Sequence, residues 1–347
     1  MSVPAGPPRE LELVSEKWLS DRLCRLILRS PSLSRPAEVR VIVPPSPSPS
    51  PSPSPSPSPS PSPSPSPSPS PSPSPPLAPA PGPPSASERP PLLLLLHGAD
   101  DDPAGWESGV GISARCEQLG AVVVMPTGGE IGFCTDWLER ERPVRGRIGS
   151  TWSARIAPAW ERFHLTELLP WVTARYGASS RRAVLGISMG GHGAIAYTAR
   201  HPGTFAAAAS FSGVLDTLGL GIPSLLATAL LNHRQHRHAL WGSPITRRAH
   251  WEAHNPLDLA ERLAGVPLYL ARGDGRPHPG DPELADGLAL LERVIGPCTD
   301  AMALRLGQLG IDATVSQGRG VHEWPTWNRE LDLAWPFLLR GLGLDPA

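Results

Sequence analysis

The chain has 347 residues, enough for one large α/β domain or two small ones. Its 31 Lys and Arg against 32 Asp and Glu leave a formal net charge of -1, so composition offers no electrostatic footprint for nucleic acid or an anionic membrane. Four cysteines, Cys24, Cys116, Cys134 and Cys298, lie far apart with no CxxC pairing, which leaves zinc and redox motifs unsupported. The N-terminal residues lack a basic segment followed by an apolar one, the pattern of a signal peptide. The apolar run Leu92 to Leu96 is far short of the roughly 20 residues of a membrane helix. The expectation is a cytoplasmic protein without a membrane span, unless a misassigned start codon hides an export signal.

In chain order, residues 1–43 are expected to supply N-terminal strands, with Glu38 to Val43 (EVRVIV) alternating at the strand period and the pair adding an antiparallel edge. Residues 44–91 are a Pro-rich insertion, an uninterrupted Ser-Pro repeat from Ser46 to Pro75. Proline fixes φ and removes donors, so the expectation is an unstructured, polyproline-like loop. Strand candidates flank it, and closure entropy grows only logarithmically with loop length. It therefore reads as a loop inside one domain, with residues 92–347 as the remainder. There, strands are expected at Leu92–Leu96, Ala121–Met125, Ala183–Gly186, Ala206–Ser212, Pro267–Ala271 and Ala313–Ser316. Helical patterns cover Trp160–Tyr176, Gly190–His201, Leu284–Leu309 with a break at Gly296-Pro297, and Trp327–Leu339. Short apolar strands alternating with helices imply a mostly parallel central sheet with helices on both faces.

Gly186-Ile187-Ser188-Met189-Gly190 matches GxSxG. The strand AVLG runs into it and a helix of small residues leaves it, the setting of a nucleophile elbow in an α/β-hydrolase fold. Ser188 is thereby the candidate nucleophile, at a helix N-terminus that favours developing negative charge. An oxyanion needs two aimed donors. The Met189 N–H is one candidate. The Ala99 N–H is the other, in the loop His97-Gly98-Ala99 after strand Leu92–Leu96.

A serine hydroxyl needs an adjacent imidazole. His322, in the loop GRGVHEWPTW before the last helix, fits the chain order nucleophile, acid, histidine. Two carboxylates lie between: Asp274, just past strand PLYLA, and Glu292, in ALLERVIG; chain order favours Asp274. His233, His236 and His238 have no neighbouring Cys or carboxylate in sequence to complete a metal site, and this chemistry needs neither metal nor cofactor. The acidic run Asp100–Asp102 reads as a solvated loop or cap.

These residues resemble a known family, the antigen 85 mycolyltransferases and the wider esterase D-like serine esterases. The resemblance rests on VVVMPTGG (Val122–Gly129), FCTDW (Phe133–Trp137), AVLGISMGG (Ala183–Gly191), LLNHRQHRHALWGSP (Leu230–Pro244) and HEWPTWNREL (His322–Leu331). The family's acid is a glutamate on a helix, so the resemblance implies Ser188, Glu292 and His322 as the triad, with Asp274 in reserve. It also implies Ala99 and Met189 as oxyanion donors and an acyl channel lined by the run Leu215–Leu231. The family's sugar-binding loop reads Asp-Gly-Leu-Arg where this chain has His97-Gly98-Ala99-Asp100, so the general chemistry carries over better than trehalose recognition. The implied activity is hydrolysis of an ester or thioester, or transfer of its acyl group to an alcohol such as diacylglycerol or a sugar. The competing reading is a binding protein that kept the fold without the chemistry.

Overall fold

A computed structural model describes residues 10–45, 89–142, 156–281 and 286–344. Among the described residues nine strands form one sheet: β1 (Glu12–Trp18), β2 (Leu23–Arg29), β3 (Ala37–Ile42), β4 (Leu92–Leu96), β5 (Val122–Pro126), β6 (Arg182–Ile187), β7 (Ala207–Phe211), β8 (Leu268–Gly273) and β9 (Thr314–Gly318). Their spatial order is β1-β2-β3-β5-β4-β6-β7-β8-β9. β1, β2 and β3 join antiparallel as far as β5, and every pair from β5 to β9 is parallel. The helices are α1 (Gly105–Val110), α2 (Ile112–Arg115), α3 (Trp160–Arg162), α4 (Leu169–Tyr176), α5 (Met189–Arg200), α6 (Ile222–Asn232), α7 (Arg248–Glu252), α8 (Asp286–Gln308) and α9 (Trp324–Leu342). A π-helical stretch, Phe163–Leu168, joins α3 to α4, so helix runs unbroken from Trp160 to Tyr176.

The alternation along β4 shows why the sheet is covered twice. Leu92, Leu94 and Leu96 point into one core with Phe163, Leu168, Ile195, Leu226 and Met302. Leu93 and Leu95 point into the other with Trp106, Val110, Trp327 and Leu338. All five leucines are buried, each contributing about 1.5–3 kcal/mol of transfer free energy. A strand apolar on both faces is stable only with helices above and below it. Here α1, α2 and α9 lie on one face and α4, α5, α6 and α8 on the other. The protein is thus an α/β-hydrolase fold, as its strand and helix pattern implies.

Two expectations need correcting. The helix carrying Glu292 does not break at Gly296-Pro297: α8 runs through, with Pro297 inside it. A proline in a helix interior costs about 3 kcal/mol. Burial of Ile295, Cys298, Met302 and Leu306 on the same helix offsets that cost. The run Leu215–Leu231 is not a uniform channel wall either. Leu215, Ile222, Leu226 and Leu230 are core residues, and Leu220 and Leu231 are exposed. The i, i+4, i+8 spacing of Ile222, Leu226 and Leu230 turns one stripe of α6 inward. The Ser-Pro repeat lies outside the described residues. The four cysteines are buried and free. Among the described residues no helix is long and apolar enough to cross a membrane.

Candidate active site

Ser188 sits between β6 and α5 with φ 51° and ψ -115°. This strained conformation for a non-glycine residue needs its surroundings to hold it. Glycine supplies the room. A Cβ on Gly186 would drive into the Gly190 carbonyl, and one on Gly190 into the Leu96 carbonyl. Both obstacles are backbone, so neither can swing aside. The turn therefore presses against the end of β4, and Gly98 lies beside Ser188: a Cβ there would be 3.5 Å from the serine Cβ.

The three residues of the implied triad meet, although they lie on three separate segments. Ser188 Oγ is 2.8 Å from His322 Nε2. His322 Nδ1 is 2.6 Å from Glu292 Oε2. An ionised carboxylate only accepts, so the imidazole proton sits on Nδ1 and Nε2 turns a lone pair toward the serine hydroxyl. The arrangement is dry: Glu292 is 0% exposed, His322 5% and Ser188 9%.

Glu292 is held by more than the histidine. Its Oε1 accepts from Ser212 Oγ at 2.9 Å and from the Gly273 N–H at 2.7 Å. Ser212 in turn accepts from Trp327 Nε1 at 3.1 Å. The indole N–H can only donate, which directs the Ser212 hydroxyl proton onto the carboxylate. The Trp327 ring also stands edge-on to His322, centroids 5.2 Å apart at 85°. Ser212, at the end of β7, has a positive φ of 48°. Ser212 and Gly273 were not singled out from sequence. The one signal available was Trp327, five residues beyond His322 in the His-x-Trp-x-x-Trp pattern.

The His322 loop is braced on both sides. Thr326 Oγ1 accepts from the Val321 N–H at 3.0 Å, and Glu323 caps α9 through the Trp324 N–H at 2.8 Å. The Gly275 N–H donates to the Gly320 carbonyl at 2.9 Å, tying the β8 exit turn to the same loop. Asp274 belongs to that turn. Its Oδ1 accepts from the Arg276 N–H at 2.8 Å, so the reserve acid is occupied in shaping the turn, whereas Glu292 contacts the imidazole.

Met189 follows Ser188 at the first position of α5, and Ala99 follows Gly98, which lies beside Ser188 after β4. Neither N–H finds a backbone acceptor among the described residues. His233 lies against Asp100 (2.9 Å) and Glu130 (3.4 Å), and His236 against Glu139 (3.1 Å). Among the described residues no group of three or more His, Cys, Asp or Glu is arranged to hold a metal. Asp102 Oδ1 accepts from the Ala104 N–H at 2.6 Å, at the start of α1.

Sheet order and helix layers together place the protein in the α/β-hydrolase class. A family model described as "Putative esterase" matches residues 79–338, and the chain belongs to that family. The diacylglycerol acyltransferase/mycolyltransferase Ag85B of Mycobacterium leprae is 30% identical over 263 residues, covering 74% of this chain and 77% of that protein. Its counterpart from Mycolicibacterium smegmatis is 28% identical over 267 residues, covering 72% of this chain and 76% of that protein. The structure of MPT51 of Mycobacterium tuberculosis superposes with a TM-score of 0.64 at 20% identity, covering 91% and 97% of the two chains. FphF, a fluorophosphonate-binding serine hydrolase of Staphylococcus aureus, gives a TM-score of 0.61 at 15% identity, covering 91% and 98%. The chain is therefore an enzyme of the serine-hydrolase, esterase type, related to the antigen 85 proteins. That kinship overturns the expectation of a cytoplasmic protein, because the antigen 85 proteins and MPT51 are secreted antigens. The N-terminal pattern and the shortness of the apolar runs are weaker guides than relatedness over about three quarters of the chain.

Proposed function

We propose that the protein is a serine acyl hydrolase or acyltransferase that works through an acyl-enzyme, with Ser188 as nucleophile, His322 as base and Glu292 as the orienting acid. The observation that carries this reading is the continuous hydrogen-bonded line Ser188–His322–Glu292 at the end of a strained strand–helix turn. Ser188 Oγ adds to the carbonyl carbon of an ester or thioester while His322 Nε2 takes its proton. The tetrahedral oxygen, now negative, is received by the Ala99 and Met189 N–H groups. Collapse expels the alcohol or thiol, which takes the proton from His322, and leaves the acyl group on Ser188. Water or an acceptor alcohol then enters, gives its proton to His322 and releases the acyl group as acid or new ester. Glu292 orients the imidazole and stabilises the imidazolium in both halves.

The names of the antigen 85 relatives favour an alcohol acceptor such as diacylglycerol. The experiment is to feed p-nitrophenyl esters of rising chain length to wild type and Ser188→Ala, with and without diacylglycerol or a sugar. Wild type is expected to release nitrophenol and, with its acceptor present, to divert acyl groups into a new ester. Equal turnover by Ser188→Ala would sink the assignment. Free acid as the sole product at every acceptor concentration would limit the function to hydrolysis.

A further inference from the structure

His97 directly follows β4, immediately before Gly98-Ala99, and is buried. No step described above uses it, yet both its ring nitrogens are engaged. The Gly128 N–H donates to Nε2 at 2.8 Å. A nitrogen that accepts carries no proton, so the ring is the Nδ1–H tautomer. That Nδ1–H faces the Gly98 carbonyl oxygen at 2.7 Å. Burial pushes the His97 pKa below its ordinary value, which keeps the ring neutral. A second proton on Nε2 would also oppose the Gly128 N–H.

The loop that carries Gly128 is anchored in turn. His164 Nε2 faces the Thr127 carbonyl at 2.9 Å and must donate to it, leaving Nδ1 to accept from the Tyr197 hydroxyl at 2.8 Å. Burial lowers the His164 pKa to about 4. A chain of fixed donors and acceptors therefore runs from Tyr197 on α5, through His164 and the Thr127-Gly128 turn, to His97.

We infer that His97 is a positioning residue for the oxyanion donor, its Nδ1–H pinning the Gly98–Ala99 peptide so that the Ala99 N–H is aimed at the reacting carbonyl. The reason is the geometry of the amide. In a planar trans peptide the C=O and N–H point in opposite directions. Holding the Gly98 oxygen toward the imidazole thus fixes the Ala99 N–H on the other side, in a loop that runs against Ser188. This assignment rests on the proposed function, because it presupposes Ser188 as nucleophile and Ala99 as donor.

The test compares an ester with its thionoester, in which sulfur replaces the carbonyl oxygen and accepts hydrogen bonds weakly. Two variants separate the two ring nitrogens. His97→Asn places an amide N–H near the Nδ1 position and can still donate to Gly98. His97→Gln reaches toward the Nε2 position and can satisfy Gly128 but not Gly98. Removing an oxyanion donor outright lowers kcat about 10²–10³-fold, so a mis-aimed one is expected to cost about tenfold. The ester-to-thionoester ratio of kcat should fall about tenfold in His97→Gln and stay within about threefold of wild type in His97→Asn. Both substrates are turned over by the same molecules, so the ratio is independent of how much of each preparation folds. An unchanged ratio in His97→Gln would overturn the inference, as would equal falls in both variants. Ser188→Ala is measured alongside. Turnover surviving in it would remove the underlying assignment of the nucleophile, whereas a flat ratio with Ser188 essential would overturn the role of His97 alone.

Discussion

Replacing Ser212 by alanine removes one of three hydrogen bonds from a carboxylate with no solvent exposure. Glu292 keeps the Gly273 N–H at 2.7 Å and His322 at 2.6 Å but loses the hydroxyl at 2.9 Å, and Trp327 Nε1 loses its acceptor. A hydrogen bond to a charged group is worth about 1.5–3 kcal/mol, so folding stability should drop by about 2 kcal/mol. The catalytic loss should be smaller. In a Ser-His-acid triad the acid keeps one charge state throughout, so only the part of the bond that strengthens as the imidazolium forms reaches the barrier. Roughly half of the bond, about 1 kcal/mol, corresponds to an about fivefold lower kcat. The assay is p-nitrophenyl ester hydrolysis paired with urea unfolding. Trp327→Phe, which keeps a ring beside His322 and loses only the N–H, should lower kcat about threefold. A Ser212→Ala enzyme with wild-type kcat and wild-type stability would refute the reasoning. So would a loss beyond a thousandfold, which would make Ser212 a reacting group.

Other expectations follow from the same geometry. Glu292→Gln should reduce kcat by about 10³–10⁴-fold, the cost of losing the anion that orients a catalytic imidazole, while Asp274→Asn should stay within about twofold of wild type; the reverse ranking in steady-state kinetics would restore Asp274 as the acid. Gly190→Ala forces a Cβ into the Leu96 carbonyl and should destabilise by about 2–3 kcal/mol, so wild-type thermal stability in that variant would contradict the account of the turn. Burial lowers the pKa of His164, His192 and His254 to about 4 each. The unfolded chain takes up those protons near the ordinary value of about 6.5. Their contribution is therefore intact above about pH 6.5 and is lost as pH falls toward 4, at up to about 4 kcal/mol per pH unit for the three together. A urea midpoint that is the same at pH 7.5 and pH 5 would show that these rings are not neutral in the folded protein.

What the sequence made legible was local. Apolar runs such as Leu92–Leu96 read as buried strands because five successive leucines can be covered only from both faces. GxSxG read as an elbow because a strand and a small-residue helix bracket it. What stayed hidden depends on how distant segments meet. Chain order pointed to Asp274 because it follows a strand, but its carboxylate caps its own turn. Glu292 reaches the histidine because α8 carries it to the ends of β7 and β8, where Ser212 and Gly273 meet it. Propensity at Gly296-Pro297 argued for a break, and tertiary burial overrode it. The part inferred for His97 was equally hidden, since a histidine just past a strand has no signature until the Gly128 N–H of the β5 exit loop is seen to meet its ring. Residues 215–231 read as one apolar run, whereas helical periodicity divides them between core and surface.

The claim on which the rest depends is that Ser188 is an activated nucleophile. Intact-mass analysis after exposure to a fluorophosphonate probe, on wild type and Ser188→Ala, tests it directly. A single adduct on wild type and none on the variant is the expected result. A folded wild type that takes no adduct, or a variant that takes the same adduct, would contradict the account, the first by favouring a binding protein and the second by placing the reactive group elsewhere.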